Sequence, residues 1–148
     1  MKLEWTIREA IPEDSERLGN CMVSAYSTYQ KRMGGVRLPP MDANYLSEIR
    51  DYPTWVVESE GRVLAGLILV FQEDHASIAN IAVDPEFQGH GIGGELMAFA
   101  ESRARENDYA ELQLTTHVLL EESISLYRHL GWEETGRTEL KVFMKKKV

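Results

Sequence analysis

Apolar and polar residues alternate from Leu3 to Ile7, the period of a half-buried strand. Pro12, followed by Glu13 and Asp14, marks a helix start, where acids meet the positive end of the helix dipole; this helix is expected to run to about Tyr29. The glycines and prolines of Met33 to Pro40 argue against regular structure there, and Asp42 is placed to cap a short helix through Ile49. Trp55–Glu58 and Val63–Phe71 flank the turn Glu60-Gly61 and predict a hairpin. Ala76–Val83 reads as a third strand, ended by Asp84-Pro85. Gly91 to about Asn107 is amphipathic, with Ile92, Leu96, Phe99 and Ala100 on one face and Glu95, Glu101 and Arg105 outside, Glu101 and Arg105 forming an i,i+4 pair. Tyr109–Thr116 predicts a strand and Glu121–Leu130 a helix with Gly131 at its C′ position; Thr138–Lys145 predicts a last strand. The order β-α-α-β-β-β-α-β-α-β predicts an α/β domain around one mixed sheet.

Length fits one domain, residues 1–148. Sixteen basic residues against 24 acidic give a net charge of −8, which disfavours nonspecific nucleic-acid binding, so any anionic ligand needs a local device to hold it. No apolar run approaches a membrane span and no secretory leader is visible, which predicts a cytoplasmic protein without a membrane partner. The single cysteine, Cys21, cannot form an internal disulfide or supply a metal cluster, and no metal site is expected.

The informative segment is Ile81 to Gly94, where a strand ends and a helix begins inside Gln88-Gly89-His90-Gly91-Ile92-Gly93-Gly94. The first amides of a helix have no internal partner and sit at the positive dipole end; glycines remove the Cβ atoms that would keep a phosphate away. Together they predict an anion site that needs no lysine. Gly89-x-Gly91-x-x-Gly94 also matches the dinucleotide fingerprint, but the next strand ends Leu114-Thr115-Thr116-His117, with no acid to hold a ribose. No Lys-Ser/Thr follows the last glycine, so it is not a Walker loop. The bland alternative, a ligand-free turn, leaves four glycines in six residues unexplained.

Gln88-Gly89-His90-Gly91-Ile92-Gly93 resembles the Gln/Arg-x-x-Gly-x-Gly/Ala signature of the GNAT acetyltransferase superfamily, and Leu126-Tyr127-Arg128-His129-Leu130-Gly131-Trp132 is similar to its Leu-Tyr-x-x-x-Gly-Phe segment. The resemblance implies a single-domain GNAT-like fold: α/β, a mixed, mostly antiparallel sheet splayed between two parallel strands, with helices on both faces. It implies acetyl-coenzyme A as co-substrate, without metal. The amides from Gln88 to Gly94 would bind the pyrophosphate, and the backbone at Ala82 and Val83 the pantetheine arm. The thioester would enter a gap between Ile81–Val83 and Leu114–Thr116. An asparagine common in the family at the start of the tyrosine's helix is missing from Leu119–Ser123, and Ser123 is its only substitute.

For transfer to an amine, the ammonium must lose a proton and the departing thiolate gain one. The resemblance assigns Tyr127 as the acid and the Val83 N–H as oxyanion donor; the plain alternative is a tyrosine packed beside Ile124 and Leu130. Counting back from Val83 by alternation, the family's basic position falls near Ser77, which cannot serve. His75, of the same parity, and His117 are the candidate bases, beside strand-end readings of both and deprotonation through water. Glu73 and Asp74 read as solvated hairpin charges, Arg103 and Arg105 as exposed helix surface in preference to partners for the coenzyme's phosphates, and Lys145-Lys146-Lys147 as a solvated terminus. Tyr26, Tyr29, Trp55 and Phe71 are candidates for an acceptor pocket or for core, and the Met33–Pro40 loop for its lid. The reading is an N-acetyltransferase acting by direct attack in a ternary complex on a small-molecule or peptide amine, the acidic balance mildly favouring a cationic one. Cys21 lies away from the motifs, which argues against a covalent acetyl-cysteine. A non-catalytic acyl-coenzyme A binding module is the alternative, and the family's frequent dimers make a homodimer a further expectation.

Overall fold

The computed structural model describes residues 3–148. Its sheet has strand order β1-β2-β3-β4-β5-β7-β6. These strands are β1 (Thr6–Glu9), β2 (Thr54–Ser59), β3 (Arg62–Phe71), β4 (Ala76–Val83), β5 (Glu111–His117), β6 (Glu133–Arg137) and β7 (Lys141–Lys147). Among the described residues only β4 and β5 are parallel. The helices are α1 (Ser15–Gln30), α2 (Pro39–Asp42), α3 (Tyr45–Asp51), α4 (Ile92–Glu106) and α5 (Glu121–His129), and short 3-10 turns cover Pro12–Asp14 and Pro85–Phe87. The mixed, largely antiparallel α/β architecture is the one expected.

β3 carries a nearly unbroken apolar run because helices cover it on both faces. On one side α1 lays Leu18, Cys21 and Met22 against Val56 and Ile68. A Cβ at Gly66 would lie 2.5 Å from Leu18 Cδ1, so this glycine lets α1 approach the strand. On the other side α4 presents Ile92, Leu96, Ala100 and Ala104, one face at i,i+4 spacing, to Leu67, Leu69, Ile78 and Leu112. Glu60 and Gly61, with φ of 49° and 78°, close the β2–β3 hairpin with the right-handed strand twist.

Several expectations change. The first strand begins at Thr6 rather than Leu3, the last runs Lys141–Lys147 rather than Thr138–Lys145, and an unanticipated strand precedes it: Glu133–Arg137 forms the edge strand β6, whose polar sequence carries no apolar alternation. Asp42 ends a helical turn begun by Pro39 and Pro40, so the loop is not wholly irregular; Asn44 caps α3, accepting from the Ser47 N–H at 3.1 Å. Glu101 pairs not with Arg105 but with Lys146 of β7 at 3.1 Å, and Lys145–Lys147 belong to that strand rather than to a loose terminus.

The feature that makes room for a site is in β4. Opposite β3 the register jumps from Ile68↔Asn80 to Leu69↔Ile78, so Ala79 is an extra residue, a β-bulge. On the other side β4 and β5 pair only at Ala76↔Leu112 and Ser77↔Gln113 and then diverge. Among the described residues, no helix is long and apolar enough to cross a membrane.

Candidate active site

The divergence of β4 and β5 opens a cleft of about 750 Å³, floored by the start of α4 and walled by α1, the Met33–Pro40 loop and α5. It brings together Ile81, Ala82, Val83, Gln88, Gly89, Gly91, Ile92, Gly93, Gly94, His117, Ser123 and Tyr127. Two of the anticipated residues stand apart: His90 is exposed and does not line it, and His75 sits at the opposite end of β4.

Gly91 caps α4 in the left-handed conformation, φ 82°, and Gly89 has φ 86°, backbone that glycine adopts without strain. The first amide of the helix bonded back is that of Glu95, onto Gly91 O at 3.1 Å. The N–H groups of Ile92, Gly93 and Gly94 precede it, and no side chain caps them. A Cβ at Gly89, Gly91 or Gly94 would meet nothing within 4 Å. The glycines therefore keep open a space that side chains would fill, over amides at the positive end of a 15-residue helix. These groups fit a diphosphate.

The strand wall is specified by its ladder. Asp84 N–H donates to Leu64 O at 2.8 Å, so the pair is hydrogen-bonded. Antiparallel pairs alternate, which leaves Val83↔Ala65 and Ile81↔Leu67 as pairs whose main-chain groups point away from β3. They face the gap, beyond the last β4–β5 pair. Ala82 spends its backbone on Gly66, so the strand groups free for a ligand belong to Ile81 and Val83, in place of Ala82 and Val83.

The bulge also corrects the search for a base. Ile81 and Val83 pack on the α4 side with Ala76 and Ile78, while Ala82 joins the α1 side with Val56 and Ile68. Simple alternation from Val83 thus reaches the wrong face at Ser77 and His75. His75 Nδ1 lies 2.7 Å from Asp74 Oδ1 at the β3–β4 turn, outside the cleft, and cannot reach a reacting amine there. His117 does line the cleft, but its Nδ1 accepts the Leu119 N–H at 3.1 Å. That bond puts the proton of the neutral ring on Nε2, so the ring nitrogen left without a partner is a donor.

Tyr127 is half-buried on α5 and lines the cleft; burial, with Tyr29 adding, pushes its phenol up to about 12. Tyr26 and Tyr29 also line the cleft, whereas Trp55 is core against Phe99 and Phe71 stacks on Tyr109. Arg103 pairs with Glu106 in the last turn of α4, far from its glycine end. Cys21 is buried beneath α1, its thiol pushed up to about 12, and does not line the cleft. A polar residue that pattern reading passed over is Asn80, buried at 8 % exposure beside the bulge. It accepts from Tyr26 Oη at 2.7 Å. Its signal was an amide among the apolar residues Ile78–Val83.

The acetyltransferase (GNAT) family model matches residues 22–132 of this chain. The chain is 32 % identical over 101 residues to the uncharacterized N-acetyltransferase YjgM of Escherichia coli, covering 61 % of this chain and 60 % of that protein. It is 30 % identical over 83 residues, 56 % of each chain, to the ribosomal protein bS18-alanine N-acetyltransferase of Escherichia coli. The chain spans about half the length of the curated relatives it matches. In fold it is similar to the PaiA N-acetyltransferase of Thermoplasma acidophilum, crystallised in complex with coenzyme A, at TM-score 0.87 and 18 % identity over 99 % of this chain and 100 % of that one.

Proposed function

The chain belongs to the GNAT family of acetyltransferases, and from that premise we propose that it transfers an acetyl group from acetyl-coenzyme A to a primary amine, with both substrates bound at once. The observation that carries this reading is the continuity of the uncapped Ile92–Gly94 amides with the β4–β5 gap and Tyr127 in a single cleft.

Acetyl-coenzyme A supplies the activated acyl carbon. The chain's part is positional and electrostatic. The α4 amides hold the diphosphate, and the outward main-chain groups of Ile81 and Val83 pair with the pantetheine amides, fixing the thioester in the gap. The Val83 N–H is placed to donate to the acyl oxygen as it gains charge; one such donor is worth about 10²–10³ in rate. The amine nitrogen forms the new C–N bond as the C–S bond breaks. Tyr127 Oη donates a hydrogen bond to the departing sulfur, whose thiol pKa of about 8.5 lets it leave as a thiolate; the second proton, shed by the nitrogen as the amide forms, is relayed to that sulfur, so the phenol ends protonated as it began. The amine's proton leaves through water: about 1 % of an amine of pKa about 10 is already neutral at pH 8, so attack needs no dedicated base.

One observation favours the alternative, a non-catalytic acyl-coenzyme A module. Both bases lining the cleft are engaged, Glu122 by Arg32 at 2.6 Å and His117 Nδ1 by Leu119. The two readings separate in one experiment: calorimetric titration of acetyl-coenzyme A, followed by thiol release against an amine panel, for the native chain and Tyr127→Phe. A transferase loses about 10²-fold in kcat with unchanged coenzyme affinity. Tight binding with no thiol release above the no-amine background in either protein overturns the transferase reading.

A further inference from the structure

We infer that the acceptor is a monoamine, one primary amine on an apolar or aromatic body with no second positive charge. The inference rests on the transferase reading and names its substrate class. Three observations carry it.

First, the acceptor wall of the cleft is apolar. Between α1 and α2 it consists of Tyr29, Met33, Leu38 and Pro39, and the loop bearing Met33 is fastened by reciprocal bonds between Gln30 and Gly35 (2.8 and 3.0 Å). Such a wall rewards the burial of hydrocarbon and penalises a hydrated charge.

Second, the cleft offers nothing for a second cation. Among the described residues Glu122 is the only carboxylate lining it, and Arg32 holds that carboxylate at 2.6 Å. The Arg32 guanidinium also lies 5.8 Å from the centre of the Tyr29 ring, and Lys141 is a basic residue of the cleft lining. A polyamine's distal ammonium would find no unpaired carboxylate in this lining. The net charge of −8 does not rescue it, because surface fields fade over about 8 Å at physiological salt. A polycationic acceptor is therefore not the class this cleft suits.

Third, a single amine has a place. Tyr26 Oη donates to Asn80 Oδ1 at 2.7 Å, and Asn80 Nδ2 in turn reaches Tyr45 Oη at 3.5 Å, whose hydroxyl donates to the Pro40 carbonyl. With its proton committed to Asn80, Tyr26 presents oxygen lone pairs to the cleft, which accept from one N–H of an amine.

The test uses the full chain with acetyl-coenzyme A and reads thiol release with phenethylamine and isopentylamine against spermidine and putrescine. The expected kcat/KM for phenethylamine exceeds that for spermidine at least tenfold. Met33→Glu, which adds a carboxylate to the wall, shrinks that ratio by about tenfold while coenzyme affinity is unchanged. Equal or better use of spermidine by the native chain overturns the monoamine inference and leaves the transferase reading standing. If acetyl-coenzyme A binds but no amine is turned over, the transferase reading falls. Calorimetry of the same four amines on the coenzyme-saturated chain then decides the inference: phenethylamine binding at least tenfold tighter than spermidine supports it, and any other order overturns it.

Discussion

The Leu119 N–H donates to His117 Nδ1 across 3.1 Å, and this bond decides what the imidazole can do. A ring whose Nδ1 accepts must carry its proton on Nε2, and a doubly protonated ring would turn an N–H against an N–H. The neutral ring therefore keeps its proton on Nε2 and its Nδ1 lone pair is spent on Leu119, which leaves no free lone pair for the base role its sequence position suggested. His117→Asn, whose Oδ1 can still accept from Leu119, is expected to keep kcat within about threefold of native, where loss of a general base costs about 10²–10⁴. A steady-state kcat measurement on the variant decides between them.

Gly94 gives a prediction in which stability and binding move in opposite directions. It sits in the first turn of α4 with an ordinary helical φ, and an added Cβ meets nothing within 4 Å. Gly94→Ala should raise stability by about 0.5–1 kcal/mol by restricting the unfolded chain. The same methyl crowds the amides that the diphosphate would touch, so acetyl-coenzyme A should bind about tenfold more weakly, about 1.4 kcal/mol. Urea denaturation and calorimetry read the two effects separately. A variant that is stabilised and binds acetyl-coenzyme A as tightly as native removes the amide cradle from the mechanism.

Legibility followed how local each feature is. The glycine loop and α4 could be read because the cap, the free amides and the i,i+4 face of Ile92, Leu96, Ala100 and Ala104 all lie within one short segment. The β2–β3 hairpin announced itself through Glu60-Gly61. β6 was not legible: Glu133-Glu134-Thr135-Gly136-Arg137 is an edge strand held by backbone pairing to β7, and pairing leaves no mark on side-chain pattern. The Ala79 bulge was equally silent, although it decides which face each later β4 residue takes and so misdirected the count to Ser77 and His75. The role of Glu122 depends on Arg32, 90 positions away, which no spacing rule connects.

Asp14 predicts how stability responds to acid. Its side chain is 5 % exposed, accepts both arms of the Arg8 guanidinium at 2.8 and 2.9 Å, and takes the Ile11 N–H at 2.8 Å. The Arg8 bonds, outweighing desolvation, hold its carboxyl below the usual carboxylate range. A depressed carboxyl stabilises the fold above its unfolded pKa of about 4, and that contribution disappears as pH falls through the folded value. Asp14→Asn should cost about 2 kcal/mol at pH 7, discounted for the partly exposed Arg8. Its urea midpoint should then fall less than the native one between pH 6 and pH 3. Parallel acid dependence in the two proteins would show that other carboxylates dominate.

Tyr127 makes the sharpest statement about pH and activity. Burial raises its phenol to about 12, so the protonated, donating form persists across the range in which most proteins stay folded. The group that titrates below that is the acceptor. As pH rises, kcat/KM should climb about tenfold per unit while the neutral amine accumulates, then level off near the amine's own pKa. No descending limb belonging to Tyr127 should appear below about pH 10, where an ordinary phenol would begin to lose its proton. Tyr127→Phe should lower the whole curve by about 10²-fold without moving its inflection, because the inflection belongs to the substrate. A native profile that falls between pH 8 and pH 9, with the fall abolished by Tyr127→Phe, would mean that the phenol titrates far below its buried value. Such a phenol would still be protonated at neutral pH, but the donor's persistence at high pH, which rests on its burial, would be refuted.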